Sequence, residues 1–576
     1  MASKLFFSSP FTIPCCVILL VFFFSSPSNA YSTPASSNPM APDGVCSGTL
    51  YPDFCKSLLP QNNGGAPLNI QDYARFSIRQ SLSSTRKLMD LIDVLLTPAL
   101  SFLSGDVVKA LEDCRLLSEL NMDFLSNTIS TIGSTTSTSI PSLEAYDMQT
   151  LLSAILTNQQ TCYECLQETN SSPGILGNSL YNLLSDGNKM HSVALALYKL
   201  GWVHENTTKR EPDQMGKKQR LFFSRYGSLP LRMSSQNREK FEPVSGRKVL
   251  QPSPDDAVLV RDVVVVKPDG SGDFTAINDA VAAAPNNTNI TDGYFLIYIC
   301  SGVYEEYVTI DKKKKNILMM GDGINQTVIT GNRNVVDGWT TFNSASFAVV
   351  GQGFVGINIT FRNTAGPSKH QAVAVRNGAD LSTFYSCSFE GYQDTLYTHS
   401  FRQFYRECDI YGTIDFIFGN AAVVFQNCNI YSRLPMQGQF NTLTAQGRTD
   451  PNQNTGTSIQ FCNILAAPDL AASNAATNTY LGRPWKEYSR TVFMQSFIDS
   501  LIHPQGWSLW SGDFAINTLY YVEFNNKGPG SNTSNRVQWP GYHVINAKDA
   551  VTFTVSEFIL GNDWLPKTGV PYYGGL

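Results

Sequence analysis

Charged residues are scarce in this chain: they make up 15% of its 576 residues, and the formal net charge is −5. A nucleic-acid partner needs a strongly basic surface, so this balance gives no support for one. Histidine is scarcer still, with six residues, and no grouping of His, Cys and Asp has the spacing of metal ligands. We therefore expect no metal and no cofactor. The sequence also has no G-x-S-x-G motif and no Ser/His pairing at His399, which argues against a serine esterase.

The apolar run near the N-terminus is too short to favour a membrane anchor. It covers residues 11–24, whereas a membrane-spanning helix needs ~20 apolar residues. Lys4 precedes the run, and Ser28 and Ala30 suit the −3 and −1 positions of a signal peptidase site. We therefore expect residues 1–30 to be a cleaved secretory signal, with a retained anchor as the alternative.

Secretion would permit disulfide bonds and glycosylation in the rest of the chain. Ten cysteines follow residue 30, and an oxidising compartment can pair them. Seven N-x-S/T acceptor sites are modest support for a secreted glycoprotein. These sites are Asn170, Asn206, Asn286, Asn289, Asn325, Asn358 and Asn532.

Residues 40–205 have a helical pattern. Four segments space their apolar residues three and four positions apart, and Gly, Ser, Thr and Pro stretches join them. This pattern predicts an all-α four-helix bundle. Cys114 and Cys162 fall on its second and third helices, Cys46 and Cys55 precede it, and a fifth cysteine is left over. The leftover residue is Cys165.

A polar, basic and proline-bearing stretch follows at residues 206–257, and we interpret it as a linker. It contains the dibasic and hydrophobic sequence Arg247-Lys248-Val249-Leu250, which a processing protease of the secretory pathway could cut. The alternative is a solvated basic linker that is never cleaved.

Residues 258–576 consist of short β-branched and aromatic runs. The turns between these runs are irregular, hairpin signatures are lacking, and no long helical period occurs after the segment DAVAAAP. Such a texture is typical of a coiled parallel β architecture.

Two aspartates in this region share a register. Cys387, Cys408 and Cys428 follow one another at spacings of 21 and 20 residues, and Asp394 and Asp415 each lie seven residues after a cysteine. If each unit is one turn of a parallel β-helix, the two carboxylates lie on successive coils about 4.8 Å apart. Two acids this close do not both ionise easily, which separates an acid from a base or nucleophile. The alternative is that both are ordinary turn residues. The stacked cysteines would be close enough for a disulfide, and the register permits either neighbouring pair.

Several motifs then resemble those of one family, the plant pectin methylesterases. These are KHQAVAVR at 369–376, GYQDTLY at 391–397, GTIDFIFGNA at 412–421, YLGRPW at 480–485, QGWSLWSG at 505–512 and RVQWPGY at 536–542. The N-terminal half resembles the pectin methylesterase inhibitor family in its Cys46/Cys55 pair and in the cysteines at 114 and 162. The resemblance implies a right-handed parallel β-helix that hydrolyses the methyl esters of homogalacturonan in the cell wall and releases methanol.

The resemblance also implies roles for individual residues. Asp415 would be the nucleophile, and Asp394 the acid that protonates methanol and then the base that activates water. Gln393 and Gln371 would donate hydrogen bonds to the tetrahedral oxyanion. The chemistry is consistent with these roles, since a neighbouring charge raises the pKa of an acid and neutral amides stabilise an oxyanion.

Further positions follow from the same motifs. Arg483 would orient the nucleophile, because a guanidinium fork can hold a carboxylate. Trp485 and Thr341 would contact the sugar, and the family's bridge would join Cys408 to Cys428.

The implied partners are pectin, the processing protease at residues 247–250, and a separate proteinaceous inhibitor. The N-terminal half would mask the esterase until cleavage, since a tether gives it a high effective concentration. The alternative is that this half serves only folding or secretion. Two other functions remain open: a β-helix pectin glycoside hydrolase, for which close carboxylates predict retention, and an inhibitor-type binding protein with an inert esterase half.

Overall fold

The computed structural model describes most of the chain, with gaps. The described ranges are residues 40–60, 68–97, 103–134, 140–169, 173–203, 229–249, 257–473 and 477–576. The predicted signal at 1–30, residues 206–228 of the predicted linker, Leu250, Asn170 and Asn206 lie outside them. Within these ranges, none of the helices combines the length and the apolar character needed to cross a bilayer.

The N-terminal part is helical, as predicted. Its helices are α1 (Pro42–Cys46), α2 (Pro52–Leu58), α3 (Ile70–Leu95), α4 (Gly105–Ser134), α5 (Ser142–Gln167) and α6 (Pro173–Trp202). The four long helices α3 to α6 pack on one another as a bundle. Disulfides join Cys46 to Cys55 and Cys114 to Cys162. The second of these links α4 to α5, and Cys165 is a buried free thiol.

The C-terminal part is a parallel β-helix of three sheets, in which successive coils add parallel strands side by side. The first sheet contains β1 (Leu231–Arg232), β2 (Val258–Val266), β3 (Tyr294–Ile299), β6 (Ile317–Gly321), β9 (Val355–Ile357), β12 (Ser382–Tyr385), β15 (Arg402–Arg406), β18 (Ala422–Gln426), β21 (Gly456–Gln460), β24 (Arg490–Met494), β26 (Tyr520–Phe524) and β27 (Tyr542–Val544). The second contains β4 (Gly302–Tyr304), β7 (Thr327–Gly331), β10 (Thr360–Asn363), β13 (Ser388–Glu390), β16 (Asp409–Gly412), β19 (Asn429–Ser432), β22 (Asn463–Ala466) and β25 (Phe497–Ile498). The third contains β5 (Val308–Ile310), β8 (Phe347–Val349), β11 (Val375–Asn377), β14 (Leu396–Thr398), β17 (Ile417–Gly419), β20 (Asn441–Gln446) and β23 (Thr479–Gly482).

Short helices accompany the β-helix: α7 (Ser235–Ser245), α8 (Ile277–Ala283), α9 (Pro468–Ala471), α10 (Ala547–Ala550), α11 (Val555–Phe558) and α12 (Gly561–Trp564). Inside the coil, like side chains stack on successive turns. The rings of Phe384 and Tyr405 are stacked at 5.1 Å, and those of Tyr405 and Phe425 at 4.7 Å. This stacking requires one register from coil to coil, because a slip by one residue would turn these rings outward.

The cysteines also form the predicted ladder, but they are not bonded to each other. Cys387, Cys408, Cys428 and Cys462 are all buried free thiols. The predicted Cys408–Cys428 disulfide is therefore wrong for this structure. Each thiol lies against a backbone carbonyl of its own coil, as in Cys408 Sγ to Arg406 O at 3.3 Å. The sulfurs therefore have hydrogen-bond partners without forming a disulfide.

The predicted linker is partly folded onto the β-helix. Leu231 in β1 pairs in parallel with Val258 in β2, and β1 forms the edge of the first sheet. In α7, Phe241 is buried and packs edge-on against Tyr298 with ring centroids 5.3 Å apart. Residues 229–249 therefore pack with the β-helix, since apolar residues within the basic stretch join its hydrophobic cluster.

The bundle lies against one face of the β-helix. Lys312 pairs with Glu119 of α4 at 2.7 Å, and the Tyr146 hydroxyl donates to the carbonyl of Phe558 at 2.7 Å. One hydrophobic cluster contains residues of both halves, among them Leu111 of α4, Tyr397 of β14 and Phe418 of β17. The two halves therefore share a packed interface, and α4 and α5 contribute to it.

Candidate active site

The two aspartates lie in equivalent turns that lead into the third sheet. Leu396 in β14 is in register with Ile417 in β17, and Asp394 and Asp415 each precede these residues by two positions. Both aspartates have a left-handed backbone, with φ of 63° and 51°, which Asp tolerates better than most residues. They are 8% and 5% exposed. The predicted placement on successive coils is confirmed.

The carboxylate of Asp415 is held on both oxygens. Arg483 donates from Nε to Oδ1 at 2.9 Å and from Nη2 to Oδ2 at 2.7 Å. The Thr442 hydroxyl donates to Oδ1 at 2.6 Å and accepts from the Asp415 backbone N–H at 2.9 Å. The predicted orienting role of Arg483 therefore matches its position, whereas the contact from Thr442 was not predicted.

Asp394 has a different environment. Burial raises its pKa well above the usual range, the charges of Asp415 and Glu168 raise it further, and Arg483 opposes this effect. The protonated form of Asp394 is therefore favoured relative to an ordinary carboxyl, while its neighbour lies in a guanidinium fork. One acid can donate a proton and the other can attack, which is the division of roles that a carboxylate pair needs.

A cavity of about 260 Å³ contains both aspartates. Every predicted catalytic and substrate-binding residue lines it: Thr341, Gln371, Gln393, Asp394, Asp415, Arg483 and Trp485. The two glutamines are on neighbouring coils, since the backbone N–H of Ala372 donates to the carbonyl of Gln393 at 3.2 Å. Two neutral amide side chains therefore line the same cavity as the acid pair.

One wall of the cavity is aromatic. The rings of Tyr397 and Phe418 are stacked at 4.2 Å, and the Trp485 ring lies 5.8 Å from Phe418. Gly447 makes room for the Trp485 ring, since a Cβ at residue 447 would come within 2.8 Å of that indole. Trp510 lies over the Arg483 guanidinium at 4.5 Å. Flat apolar faces of this kind suit the faces of pyranose rings.

Helix α5 of the bundle closes the cavity from above. Thr161, Glu164, Cys165 and Glu168 line the same space. Glu168 Oε2 accepts from the backbone N–H of Thr341 at 2.8 Å, and Glu164 forms an ion pair with Lys486. Sequence reasoning missed these contacts, because no local pattern indicates which face of a helix meets a distant part of the chain.

Comparison with known proteins shows the family. The family profile described as Pectinesterase matches residues 262–562, and that of the Plant invertase/pectin methylesterase inhibitor matches residues 41–197. A relative from Arabidopsis thaliana, "Probable pectinesterase/pectinesterase inhibitor 20", is 54% identical over 577 residues and is covered in full, as is this chain. The chain belongs to the pectinesterase family.

Two further relatives support this assignment. Pectinesterase 2 from Citrus sinensis is 49% identical, with 81% of this chain and 82% of the relative covered. The solved structure of a pectin methylesterase from carrot is 55% identical with a TM-score of 0.53, and 54% of this chain covers 98% of it. The solved chain of this relative therefore consists almost entirely of the part that matches the esterase. Among the residues that the structure describes, the two main hydrophobic clusters of the esterase part likewise contain none from the bundle.

The interface of this pectinesterase with its inhibitor-like bundle includes a deeply buried acid. Asp113 of α4 is 1% exposed and accepts hydrogen bonds from the Thr340 hydroxyl at 2.6 Å and from the Asn343 amide. Burial raises the pKa of Asp113 to about 7. Cys165 of α5 also contacts Asp113, but the Thr340 and Asn343 donors belong to the esterase, so part of the environment of Asp113 depends on docking of the bundle.

Proposed function

We propose that this pectinesterase hydrolyses the methyl esters of homogalacturonan through Asp415 as nucleophile and Asp394 as acid and base. The observation that carries the proposal is the pairing of a guanidinium-held carboxylate with a carboxyl of raised pKa in one cavity. A carboxylate is a weak nucleophile towards an ester unless it is oriented and partly desolvated, and Arg483 and burial supply both conditions.

The first half-reaction forms an acyl-enzyme. An oxygen of Asp415 attacks the ester carbonyl, and the side-chain amides of Gln371 and Gln393 stabilise the oxyanion. As the carbonyl re-forms, the C–O bond to the methoxy group breaks. Asp394 gives its proton to that oxygen, and methanol leaves.

The second half-reaction reverses these proton transfers. Asp394, now ionised, takes a proton from water, and the resulting hydroxide attacks the acyl carbonyl of the substrate. The bond to Asp415 breaks, the carboxylate returns to the fork of Arg483, and the galacturonate keeps the new oxygen. One ester and one water give one carboxylic acid and one methanol, so no oxidant or cofactor is required.

The masked form is the second part of the proposal. Since α5 fills the space above both aspartates, the uncleaved chain is inactive towards a polymer. The protein is secreted to the cell wall behind its signal, and cleavage near Arg247–Leu250 begins unmasking. The support is that Thr161, Glu164 and Glu168 line the same cavity as both aspartates.

Two assays on highly methylated pectin test the activity. Residues 229–576, which keep β1 and α7, should release methanol without producing new reducing ends. New reducing ends would instead indicate a glycoside hydrolase. Asp279→Asn, an exposed change on α8, is the matched control and should leave the rate unaltered.

A variant of the full chain tests masking. The full chain with Arg247→Ala and Lys248→Ala should stay uncleaved, and it should release methanol much more slowly than residues 229–576 at equal concentration. Equal rates would mean that the bundle serves only folding or secretion.

A further inference from the structure

Four successive lysines lie in the connection between β5 and β6, and the structure gives them different surroundings. Lys312 pairs with two acids of α4, and Lys314 donates to two backbone carbonyls at the C-terminal end of α8. Lys313 is exposed, whereas Lys315 is half-buried. The four lysines therefore do not form one solvated basic patch, and the last of them has surroundings of its own.

Lys315 lines a second cavity, of about 390 Å³, which is larger than the catalytic one. The wall of this cavity comes from the loop at residues 287–290, from the turns that precede β6, β9 and β12, and from the C-terminal segment around α12. None of the bundle residues that the structure describes lines it. The second cavity therefore shares no lining residue with the catalytic one and is not formed by docking of the bundle.

The charged side chains that line this second cavity are both positive. They are Lys315 and Lys567, and neither forms an ion pair with an acid among the described residues. The catalytic cavity, by contrast, is lined by four acids. Because the whole chain has a net charge of −5, the positive charge of the second cavity is a local feature. Two cations without a counter-charge in a concave site favour an anionic ligand.

The rest of the wall offers neutral hydrogen-bonding groups and an aromatic ring. The Thr288 hydroxyl donates to the carbonyl of Lys315 at 2.8 Å, and the Asn316 amide donates to the carbonyl of Thr288 at 2.9 Å, so these groups are held in place. Gln352 adds an exposed amide. Trp564 contributes an apolar surface, because its indole N–H already donates to a backbone carbonyl at 2.9 Å. Amides and hydroxyls beside an aromatic ring suit a sugar, which has both hydroxyl groups and apolar faces.

We propose that this second cavity binds a short run of de-esterified galacturonate residues, with their carboxylates at Lys315 and Lys567. The choice of this ligand rests on the proposed function, because each ester hydrolysed at Asp415 leaves a carboxylate on the polymer. An acidic peptide carries the same charge but lacks the sugar hydroxyls that the amides of the wall can bind. Since the bundle contributes no described residue to the cavity, the uncleaved protein binds the polymer here while its catalytic cavity is closed.

The test measures the binding of hexagalacturonate to the full chain with Arg247→Ala and Lys248→Ala by isothermal titration calorimetry. In this protein α5 closes the catalytic cavity, so binding at the catalytic site does not contribute. Production in the bacterial periplasm allows the disulfides to form and leaves Asn289, which also lines the second cavity, without an N-linked glycan. We expect a dissociation constant below about 1 mM at low salt, and an affinity that falls as salt screens the charges.

Two double variants of this protein separate the cavity from net charge. Lys315→Gln with Lys567→Gln should weaken the binding of hexagalacturonate by about tenfold, which corresponds to ~1.4 kcal/mol. Lys313→Gln with Lys548→Gln removes two exposed lysines that do not line the cavity, so it changes the net charge equally and should keep the native affinity. Lys567→Gln alone changes an exposed residue and should weaken binding about threefold, which tests the site even if the first double variant does not fold.

Two further ligands test the chemistry of the site. A fully methyl-esterified hexamer lacks the charge and hexaglutamate lacks the sugar, and each should bind at least about tenfold more weakly than hexagalacturonate. Hexaglutamate that binds as tightly as hexagalacturonate, equal losses in the two double variants, or no binding of hexagalacturonate would each overturn the inference and leave the esterase activity standing. Failure of residues 229–576 to release methanol would refute the proposed function, but it would not remove a measured affinity for hexagalacturonate.

Discussion

Docking of the bundle should depend on pH through Asp113, whose surroundings are built from both halves. Its pKa of about 7 in the docked protein, against an ordinary 3.8, corresponds to about 4 kcal/mol of docking free energy. Arg376 lowers this pKa and Glu168 raises it, and both effects are smaller than that of burial.

The sign of this pH dependence follows from whether the docked or the undocked state holds a proton on Asp113. Below about pH 4, Asp113 is protonated in both states, and its contribution to docking is fully present. Between about pH 4 and 7 only the docked state holds the proton, so docking weakens by up to about tenfold per pH unit. Above pH 7 the contribution is lost. Burial also raises the pKa values of Glu168, Asp147 and Asp450, which adds dependence of the same sign.

The assay divides the methanol rate of the uncleavable full chain by that of residues 229–576 at each pH. The pH dependence of the catalytic step, which both proteins share, cancels in this ratio. This ratio should rise by up to about 100-fold from pH 5 to pH 7. The side chain of Asp113→Asn is neutral at every pH, so the ratio for this variant should rise less steeply. Asp90→Asn changes an exposed residue on α3, and its ratio should follow the native curve. A flat native curve, or the same slope in Asp113→Asn, would refute the reasoning.

Three further outcomes are expected. Thr442→Val should lower kcat by about 10- to 100-fold, because a hydrogen bond to a charged group is worth ~1.5–3 kcal/mol; a change under threefold in methanol release would contradict this. Lys312→Ala removes surface ion pairs with α4 and should raise the uncleaved activity by about fivefold at most, since such an interaction contributes ~0–1 kcal/mol. Cutting after Leu250 should leave the N-terminal fragment bound at pH 5, because β1 and α7 remain docked; separate peaks on gel filtration would show that the cut alone releases it.

The acid pair could be predicted from sequence because its spacing repeats. Asp394 and Asp415 are 21 residues apart, which is one coil, and the family motifs then give each a role. Thr442 occupies the equivalent position on the next coil, yet it lies 27 residues after Asp415. The longer connection between β19 and β20 breaks the repeat, so only the strand register identifies this residue.

Contacts between distant segments could not be predicted in the same way. The basic composition of residues 206–257 indicates solvent exposure, but a few apolar side chains such as Phe241 suffice to dock residues 229–249 on the β-helix. The ion pair of Glu164 with Lys486 joins two domains, and neither residue lies in a motif that marks it. For the cysteine ladder the register was right, but closeness alone does not decide whether two thiols are oxidised.

The most direct test of the central claim is the activity of Asp415→Asn in residues 229–576. An amide cannot attack the ester, and covalent catalysis is worth several kcal/mol, so we expect methanol release below ~1% of the native rate. Circular dichroism and the thermal midpoint should remain native-like, and Asp279→Asn should keep full activity. A correctly folded Asp415→Asn protein with more than ~1% of the native rate would remove Asp415 from the role of nucleophile.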